Sequence, residues 1–304
     1  MALFPDEELE PLAEPLGPLG LTARQRRILR LSVAPLREAM AALPAGTAAP
    51  ALFLGLPEAR PGQRVPATGL VGHLCTQAEV ALDVQNSQVF PKGRAGALLA
   101  LEAALAYLAK GRAEWALVGG VDTYLDLGLL AELDQEQRIL GPRVADGFVP
   151  GEGAAFLVLT SSRKAVRAGG KVQILGAASA VDPGHRYSDK PARGEGLASA
   201  LEKLAKALPR PPGPITTIYA GFNGESFGAK EWGVARLRHS DSFAQVARME
   251  HPADCFGDTG SATGALLLAL AQAGLSRRAM SGPALIFASS DREDRACALL
   301  DLLP

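Results

Sequence analysis

The turn Pro91-Lys92-Gly93 is the stretch whose residue order points most directly to chemistry. It follows a strand-like run at 84–90 and precedes a helix-like apolar pattern that ends at Gly111. A strand that turns sharply into a helix places one side chain and several backbone N–H groups at the positive end of the helix dipole. The sequence therefore predicts a place for catalysis or for anion binding at this turn.

Other familiar kinds of site find no support in the sequence. Three widely spaced cysteines exclude a CxxC motif, and Cys75, Cys255 and Cys297 are interpreted as small apolar core residues. A catalytic Cys255 would need a partner such as His251 or Asp254. No GxGxxG fingerprint, P-loop or HExxH spacing occurs, so we expect neither a cofactor nor a bound metal.

The composition is that of an ordinary globular protein. The 304 residues are 48% hydrophobic and 21% charged, and the net charge is −1. The acidic start of the chain differs from a signal peptide, and no apolar run is long enough to cross a membrane. The odd, low cysteine count fits a reducing compartment. We therefore expect a cytoplasmic protein without nucleic-acid or membrane partners.

Strands and helices alternate along the chain, which predicts an α/β protein. Residues 1–20 are expected to form an irregular arm, and Thr22 with Gln25 a capping box for a helix that reaches about Leu43. The expected strands are 51–56, 84–90, 115–118 closed by Gly119-Gly120, 154–160, 172–178, 216–220, 285–288 and 296–302. The expected helices are 70–80, 97–108, 163–170, 197–208, 229–247 and 261–273, with a helix and turn at 126–140 and a proline-rich connector at 209–214.

Three segments resemble β-ketoacyl synthases of the thiolase superfamily. They are 117–121 (LVGGV), 147–155 (GFVPGEGAA) and 256–264 (FGDTGSATG), and they lie in the family's order. The resemblance implies a shortened thiolase-like fold with layers α/β/α/β/α and two similar halves, at 21–162 and 163–304. The family's first strand and glycine-rich turn are not found at the start of this sequence.

The resemblance also assigns positions to the family's catalytic residues. Counting back from LVGG places the family's nucleophilic cysteine at Arg94, and its two histidines correspond to Asn223 and Asp258. The family's lysine corresponds to Ala253. An arginine is not a nucleophile and stays protonated, so condensation by the cysteine route is excluded at this position. No residue is therefore assigned as catalytic.

Each of these positions allows two interpretations. Arg94 either binds an anion, such as a carboxylate or the phosphate of phosphopantetheine, or pairs with an acidic residue and fills the emptied pocket. Asn223 either donates a hydrogen bond to an oxyanion or makes a turn with Gly224. Asp258 is either a helix cap or the partner of Arg94 in an ion pair.

Acidic residues near these positions widen the choice. Glu225 is a possible helper base, as is Glu231. Residues 288–294 (ASSDRED) replace the family's glycine-rich gating loop, so Asp291 and Arg292 belong either to a rebuilt polar site or to a solvated loop. A partly buried Glu152 is expected to accept hydrogen bonds from backbone N–H groups.

The leading hypothesis is a ketosynthase-like protein of fatty acid or polyketide biosynthesis that lacks condensing activity. It would be a non-catalytic subunit, or a partner that binds acyl groups or acyl carrier protein. One alternative is an acyl-thioester enzyme with a rebuilt site, acting as a decarboxylase, thioesterase or acyltransferase. Another is a purely structural interaction protein.

The resemblance implies a homodimer, or a heterodimer with an active ketosynthase, in which strand 84–89 pairs across the twofold axis. A cavity test separates the alternatives. An open cavity beside Arg94 would argue against the structural protein, and a sealed one would argue against the rebuilt enzyme.

Overall fold

The structure, a computed structural model, describes residues 8–12, 21–60, 69–162, 171–209 and 213–303. The strands are β1 (Ala51–Leu56), β2 (Gln88–Pro91), β3 (Trp115–Thr123), β4 (Glu152–Thr160), β5 (Val172–Val181), β6 (Ile215–Ala220), β7 (Phe243–Glu250), β8 (Ala284–Ser289) and β9 (Asp294–Leu302). The α-helices are α1 (Ala23–Ala41), α2 (Leu70–Ala78), α3 (Gly96–Ala109), α4 (Leu127–Gln135), α5 (Glu195–Ala207), α6 (Ser226–Arg238), α7 (Ala253–Phe256) and α8 (Thr263–Ser276). Short 3₁₀ turns at Gly93–Ala95 and Gly260–Ala262 lead into α3 and α8.

The two β-sheets repeat one topology. The first has the strand order β2-β1-β3-β4, and the second has the order β5-β9-β8-β6-β7. In the first sheet β1 pairs in parallel with β2 and β3, as β6 pairs with β7 and β8 in the second. An antiparallel strand follows in each, β4 beside β3 and β9 beside β8. Within the described ranges, no strand pairs with β4 in the way that β5 pairs with β9.

Helices α3 and α8 form a middle layer between the two sheets. They share one apolar cluster with strands of both sheets, which includes Phe53, Leu98, Val118, Leu267, Leu268, Ile286 and Leu300. Helices α1 and α2 cover the other face of the first sheet, and α5 and α6 cover the other face of the second. Apolar strands such as these are stable only when helices cover both faces of a sheet. The expected thiolase-like layering with two similar halves is therefore confirmed.

The expected turn at Gly119-Gly120 is wrong, because β3 continues through both glycines to Thr123. A Cβ on Gly119 would lie 2.5 Å from the Phe156 ring, and one on Gly120 would lie 2.4 Å from the carbonyl oxygen of Ser261. The two glycines therefore allow β3 to pack closely against β4 and against the turn that leads into α8.

The expected strand 84–90 is shorter in the structure, where β2 covers Gln88–Pro91. Residues 84–86 lie in a turn whose Asp83 carboxylate accepts hydrogen bonds from the backbone N–H (3.2 Å) and side-chain amide (2.7 Å) of Asn86. Local bonds of this kind compete with strand pairing. The strand expected at a dimer axis is thus reduced to β2, at the edge of the first sheet.

The expected helix 229–247 is wrong in its second part, since α6 ends at Arg238 and Phe243–Glu250 forms β7. This strand lies at a sheet edge, and its Val246 is 87% exposed. An exposed edge strand does not need a continuous apolar face. This explains why the sequence of β7 lacks the regular apolar alternation that marks a half-buried strand. The expected helix 163–170, and residues 210–212 of the expected connector, lie outside the described residues.

The remaining predictions agree with the structure to within a few residues. The capping box is present: the Thr22 hydroxyl accepts from the Gln25 N–H at 3.2 Å, and Gln25 Oε1 accepts from the Thr22 N–H at 2.8 Å. Of the arm 1–20, the structure describes residues 8–12. There Leu9 and Leu12 pack beside α1 and α2, and Glu10 pairs with Arg37.

Candidate functional site

The positions singled out in the sequence meet at one edge of the molecule. Arg94 lies in the 3₁₀ turn between β2 and α3, and Asp258 precedes the equivalent turn before α8 in the other half. Asn223 follows β6, and Asp291 follows β8. All four positions therefore lie at the carboxyl ends of parallel strands or at the start of a middle-layer helix, where α/β proteins commonly place their sites.

Arg94 is held by two carboxylates and a carbonyl group. Its Nη1 lies 2.6 Å from Asp258 Oδ2, and its Nη2 makes a second ion pair with Asp291. Its Nε donates to the carbonyl oxygen of Ser289 at 3.0 Å. The residue is only 9% exposed, so these pairs are shielded from water. The structure thus brings Arg94 and Asp258 together, as the pairing interpretation predicted.

The local turn expected at Asn223 and the ion pair expected at Asp258 are both present, and the two side chains contact each other. Asn223 Nδ2 donates to Asp258 Oδ2 at 2.7 Å, while its Oδ1 accepts from the backbone N–H of Glu225 at 3.2 Å. Asp258 Oδ1 accepts from the backbone N–H of Gly260 at 2.8 Å. Each side chain therefore shapes a local turn and also joins the cluster around Arg94.

A second buried arginine, Arg138, was missed by the sequence analysis. Both of its terminal nitrogens lie within 3.0 Å of Asp291 oxygens, and Nε and Nη2 donate to the two oxygens of Glu225 at 2.9 and 2.8 Å. Arg186 pairs with Glu225 at 3.0 Å, and Arg60 pairs with Asp291 at 3.3 Å. Because the partners lie far apart in the chain, no local spacing marks these arginines.

We call the set Arg60, Arg94, Arg138, Arg186, Glu225, Asp258 and Asp291 the arginine network. Burial by itself would raise the pKa of Asp291, but Arg94 and Arg138 outweigh it and hold that pKa far below its usual range. Burial by itself would lower the pKa of Arg94. The negative charges of Asp291 and Asp258 outweigh burial and raise that pKa well above its usual value. Asp291 and Arg94 are therefore charged at neutral pH, and neither can shuttle protons there.

Glu58 is the exception beside the network. Burial, with the charge of Asp291 added to it, raises the pKa of Glu58 to about 7, although Arg94 acts in the opposite direction. Its Oε1 lies 3.4 Å from the backbone nitrogen of Arg292. Sequence reasoning missed Glu58, because its position in a loop after β1 carries no motif.

The space around Arg94 is nearly filled. One cavity of about 20 Å³ lies between Arg94, Asn223 and Ser289, and one of about 30 Å³ lies between Arg94, Glu58 and Gly93. A cavity of this size holds about one or two water molecules and no acyl group. The space beside Arg94 is therefore too small for an acyl group.

A larger cavity of about 620 Å³ lies on the other side of Asn223, where Val149, Gly224 and Cys255 also line it. Cys255 is exposed, so its expected place in the core is wrong. It lies in the short helix α7, none of whose residues is buried. Cys297 is buried as expected, and burial raises the pKa of its thiol.

Two other buried acidic residues also pair with arginine. Glu152 is buried, and its oxygens lie 2.5 and 2.6 Å from Arg27 nitrogens, while Thr123 donates a hydroxyl hydrogen bond at 2.7 Å. Backbone N–H partners were expected for Glu152, and the structure shows these side-chain partners. Glu231 pairs with the fully buried Arg295, so it is not a free base.

The described part of the chain offers no group of three His, Cys, Asp or Glu side chains that could hold a metal ion. Carboxylates of the network face arginines instead. Among the described helices, none combines the length and apolar character needed to span a membrane.

Comparison with known proteins agrees with this architecture. Residues 93–165 match the family model for the N-terminal domain of β-ketoacyl synthases. The ketosynthase from module 6 of the bacillaene synthase of Bacillus subtilis 168 superposes with a TM-score of 0.71 at 15% identity, over 92% of this chain and 59% of that chain. The ishigamide ketosynthase/chain length factor gives a TM-score of 0.67 at 18% identity, over 99% of this chain and 87% of that chain.

The chain has the thiolase-like fold of ketosynthases, and its residues 93–165 resemble the N-terminal domain of β-ketoacyl synthases.

The ketosynthase-like chain also resembles a type II polyketide ketosynthase solved in complex with its acyl-carrier protein. There the TM-score is 0.63 at 17% identity, over 78% of this chain and 66% of that chain. The chain spans about three fifths of the length of the bacillaene ketosynthase. No curated protein sequence matches it. At these identities the solved structures establish the fold, and activity has to be argued from the site.

Proposed function

We propose that this ketosynthase-like chain is a non-catalytic subunit that associates with an active ketosynthase. The single observation that carries the proposal is the pairing of Arg94 with Asp258 and Asp291. The resemblance places Arg94 at the position of the family's nucleophile. Condensation needs a thiol that carries the acyl chain as a thioester. Arginine cannot form that bond, and here its guanidinium is already engaged on both sides.

The closed pocket supports the same conclusion. An acyl chain beside the nucleophile position would need several times the 20 and 30 Å³ available around Arg94. Opening that space would require separating buried ion pairs, and removing one partner of such a pair costs about 3–5 kcal/mol. The small volume of these cavities also argues against an enzyme rebuilt around Arg94.

The proposed partner is suggested by two relatives and by one strand edge. One relative is described as a ketosynthase/chain length factor, and another is a ketosynthase bound to its acyl-carrier protein. In this chain β2 ends the first sheet, so one of its edges is available for backbone pairing with another chain. Val84, which precedes β2, is 51% exposed. We propose that this edge meets the partner ketosynthase.

A second candidate function rests on the cavity of about 620 Å³ beside Asn223 and Cys255. An acyl-thioester substrate could enter this cavity without opening the arginine network, and Cys255 would then be the suspected nucleophile. Among the described residues, no hydrogen bond joins this exposed thiol to a base, so we prefer the non-catalytic subunit.

Intact-mass spectrometry separates the two candidates. The purified chain is incubated with malonyl-loaded and acyl-loaded carrier protein, and the masses of both proteins are followed beside an active ketosynthase as positive control. We expect no change in either mass. Loss of carbon dioxide or of the acyl group from the carrier would support a rebuilt enzyme, and acylation of the chain itself would point to Cys255, tested with Cys255→Ser.

The partner is tested by co-expression with a ketosynthase from the same genome, followed by size-exclusion chromatography with light scattering. Val84→Asp should abolish the complex, because it places a charge at the proposed interface. Val246→Asp is the matched control, since Val246 is exposed on β7, the edge strand that corresponds to β2 in the second sheet. Equal loss or equal retention of the complex in both variants would contradict this interface.

A further inference from the structure

A second large cavity lies far from the arginine network, on the outer face of the second sheet. Its volume is about 630 Å³, and it opens where β6 begins at Ile215 and β7 begins at Phe243. Asn223 and Asp291, by contrast, follow the carboxyl ends of β6 and β8. Because these strands run in parallel, the cavity lies at their amino ends and the network at their carboxyl ends. The cavity is therefore no entrance to the network.

The lining of this cavity is aliphatic on its floor and polar on one rim. Its floor is formed by side chains from α5, β6, β8 and β9, namely Leu201, Leu204, Ile215, Leu285 and Leu299. All of these belong to the core beneath α5 and α6. Ligand pockets of known proteins have similar volumes and a similar apolar lining with a few polar groups. The cavity is thus suited to an aliphatic chain.

Comparison of the two halves gives the physical origin of the cavity. In the first half, nine residues join α2 to β2, and they include Val80 and Leu82, which pack against the core. In the second half, only residues 239–242 join α6 to β7, and their sequence is His-Ser-Asp-Ser. This short polar link cannot supply the apolar side chains that fill the equivalent space in the first half.

The polar link also defines the head group that the cavity would accept. His239 Nε2 lies 2.9 Å from the carbonyl oxygen of Ala198. A carbonyl only accepts, so Nε2 is the donor in this contact. The Ser242 hydroxyl and the Asp241 carboxylate on the rim can each accept a hydrogen bond. Asp241 lies on the same rim and disfavours an anionic head group. A hydroxyl or amide N–H would suit this rim, and a carboxylate would not.

We propose that this cavity binds an amphipathic molecule with an aliphatic tail and an uncharged, hydrogen-donating head, such as a fatty alcohol or fatty amide. The tail lies on the leucine floor between α5 and the sheet. The head meets His239 and Ser242 at the rim. This site is independent of the non-catalytic role proposed for the arginine network.

The structure provides its own reporter for a binding test. The chain has two tryptophans, and Trp232 packs edge-on against Phe243 at 5.7 Å between ring centroids. Phe243 lines the cavity. In a Trp115→Phe background the emission therefore reports Trp232 alone. We expect 1-dodecanol and dodecanamide to change this emission in a saturable way, and dodecanoate at pH 8 to bind at least about tenfold more weakly.

Two variants on one helix give the matched comparison. Ala205 lines the cavity, whereas the exposed Ala207 two residues later does not. Ala205→Phe should raise the dissociation constant of dodecanol about tenfold or more, and Ala207→Phe should leave it unchanged. Should Ala205→Phe fail to fold, Ser242→Phe blocks the opposite rim. Absence of saturable binding to the unaltered cavity, equal affinity in the blocked variants, or tighter binding of dodecanoate would each overturn the proposal.

Discussion

Replacement of Arg94 by methionine is the sharpest test of the arginine network. Methionine keeps much of the length of the side chain and removes its charge and its donors. Asp258 would then keep only hydrogen bonds, from Asn223 and Gly260, and Asp291 would keep Arg138 and Arg60. The variant therefore leaves one buried carboxylate without a cationic partner and weakens the pairing of another.

The size of the effect follows from this geometry. Asp258 is 2% exposed, so water cannot replace the lost guanidinium. Removing one partner of a buried ion pair costs about 3–5 kcal/mol, because the remaining charge stays buried. We expect the lower part of that range, about 3 kcal/mol, because Arg138 continues to compensate Asp291. An exposed pair, in contrast, contributes little to stability.

Urea unfolding at pH 7 measures this difference. The control is Lys206→Met, which removes the exposed ion pair with Glu202 and should leave the free energy of unfolding unchanged within error. The double variant Arg94→Met with Asp258→Asn should recover part of the loss, since it removes the stranded charge. We expect a coupling energy of about 1 kcal/mol or more between the two sites.

The reasoning is refuted if Arg94→Met costs less than about 1 kcal/mol, or if the two substitutions are additive. Either result would mean that water reaches Arg94 and that the pocket is open in solution. The closed-pocket argument for a non-catalytic subunit would then fall, and the acyl-thioester assays would need to be repeated with longer substrates.

Three further predictions test the surroundings of the network. Burial raises the pKa of Glu58 from 4.5 to about 7. Between these values the folded chain keeps a proton on Glu58 that the unfolded chain releases. The free energy of unfolding should therefore fall by roughly 3 kcal/mol between pH 4.5 and 8. Urea titrations should show that slope missing in Glu58→Gln, and an unchanged slope would exclude Glu58 as its source. Gly120→Ala should cost about 1–3 kcal/mol in the same assay because its Cβ meets the Ser261 carbonyl, whereas Gly72→Ala, whose Cβ meets nothing within 4 Å, should not destabilise the chain. Thr22→Ala should cost about 1 kcal/mol through loss of the α1 cap, read as a lower thermal midpoint.

Local rules predicted the parts of the fold that local forces decide. The capping box at Thr22, the buried strand β1 and the small-residue helix α8 each follow from residues that are neighbours in sequence. The predicted turn at Gly119-Gly120 failed because glycine signals both a turn and a close approach of another chain segment. Only the distant partners Phe156 and Ser261 distinguish these cases.

The candidate site shows the same limit more strongly. The resemblance located Arg94 and Asp258, and the pairing of opposite charges followed once both were expected in one pocket. Arg138 could not be found in this way, because its partners Glu225 and Asp291 lie 87 and 153 residues away. Burial also cannot be read from a charged residue type, since most arginines are exposed.

The network differs from what simple loss of catalytic residues would leave behind. Four of its ion pairs join the two halves: Arg94 and Arg138 come from the first half, and Asp258, Asp291 and Glu225 come from the second. A pocket that had only lost its thiol would contain unpaired polar groups or a void, and either would be costly. Here each of the three carboxylates accepts a hydrogen bond from at least one arginine, so these ion pairs stabilise the contact between the halves. A working ketosynthase would need the same place to stay accessible to its substrate. A subunit that serves as a rigid partner, without opening for substrate, is the function that this arrangement favours.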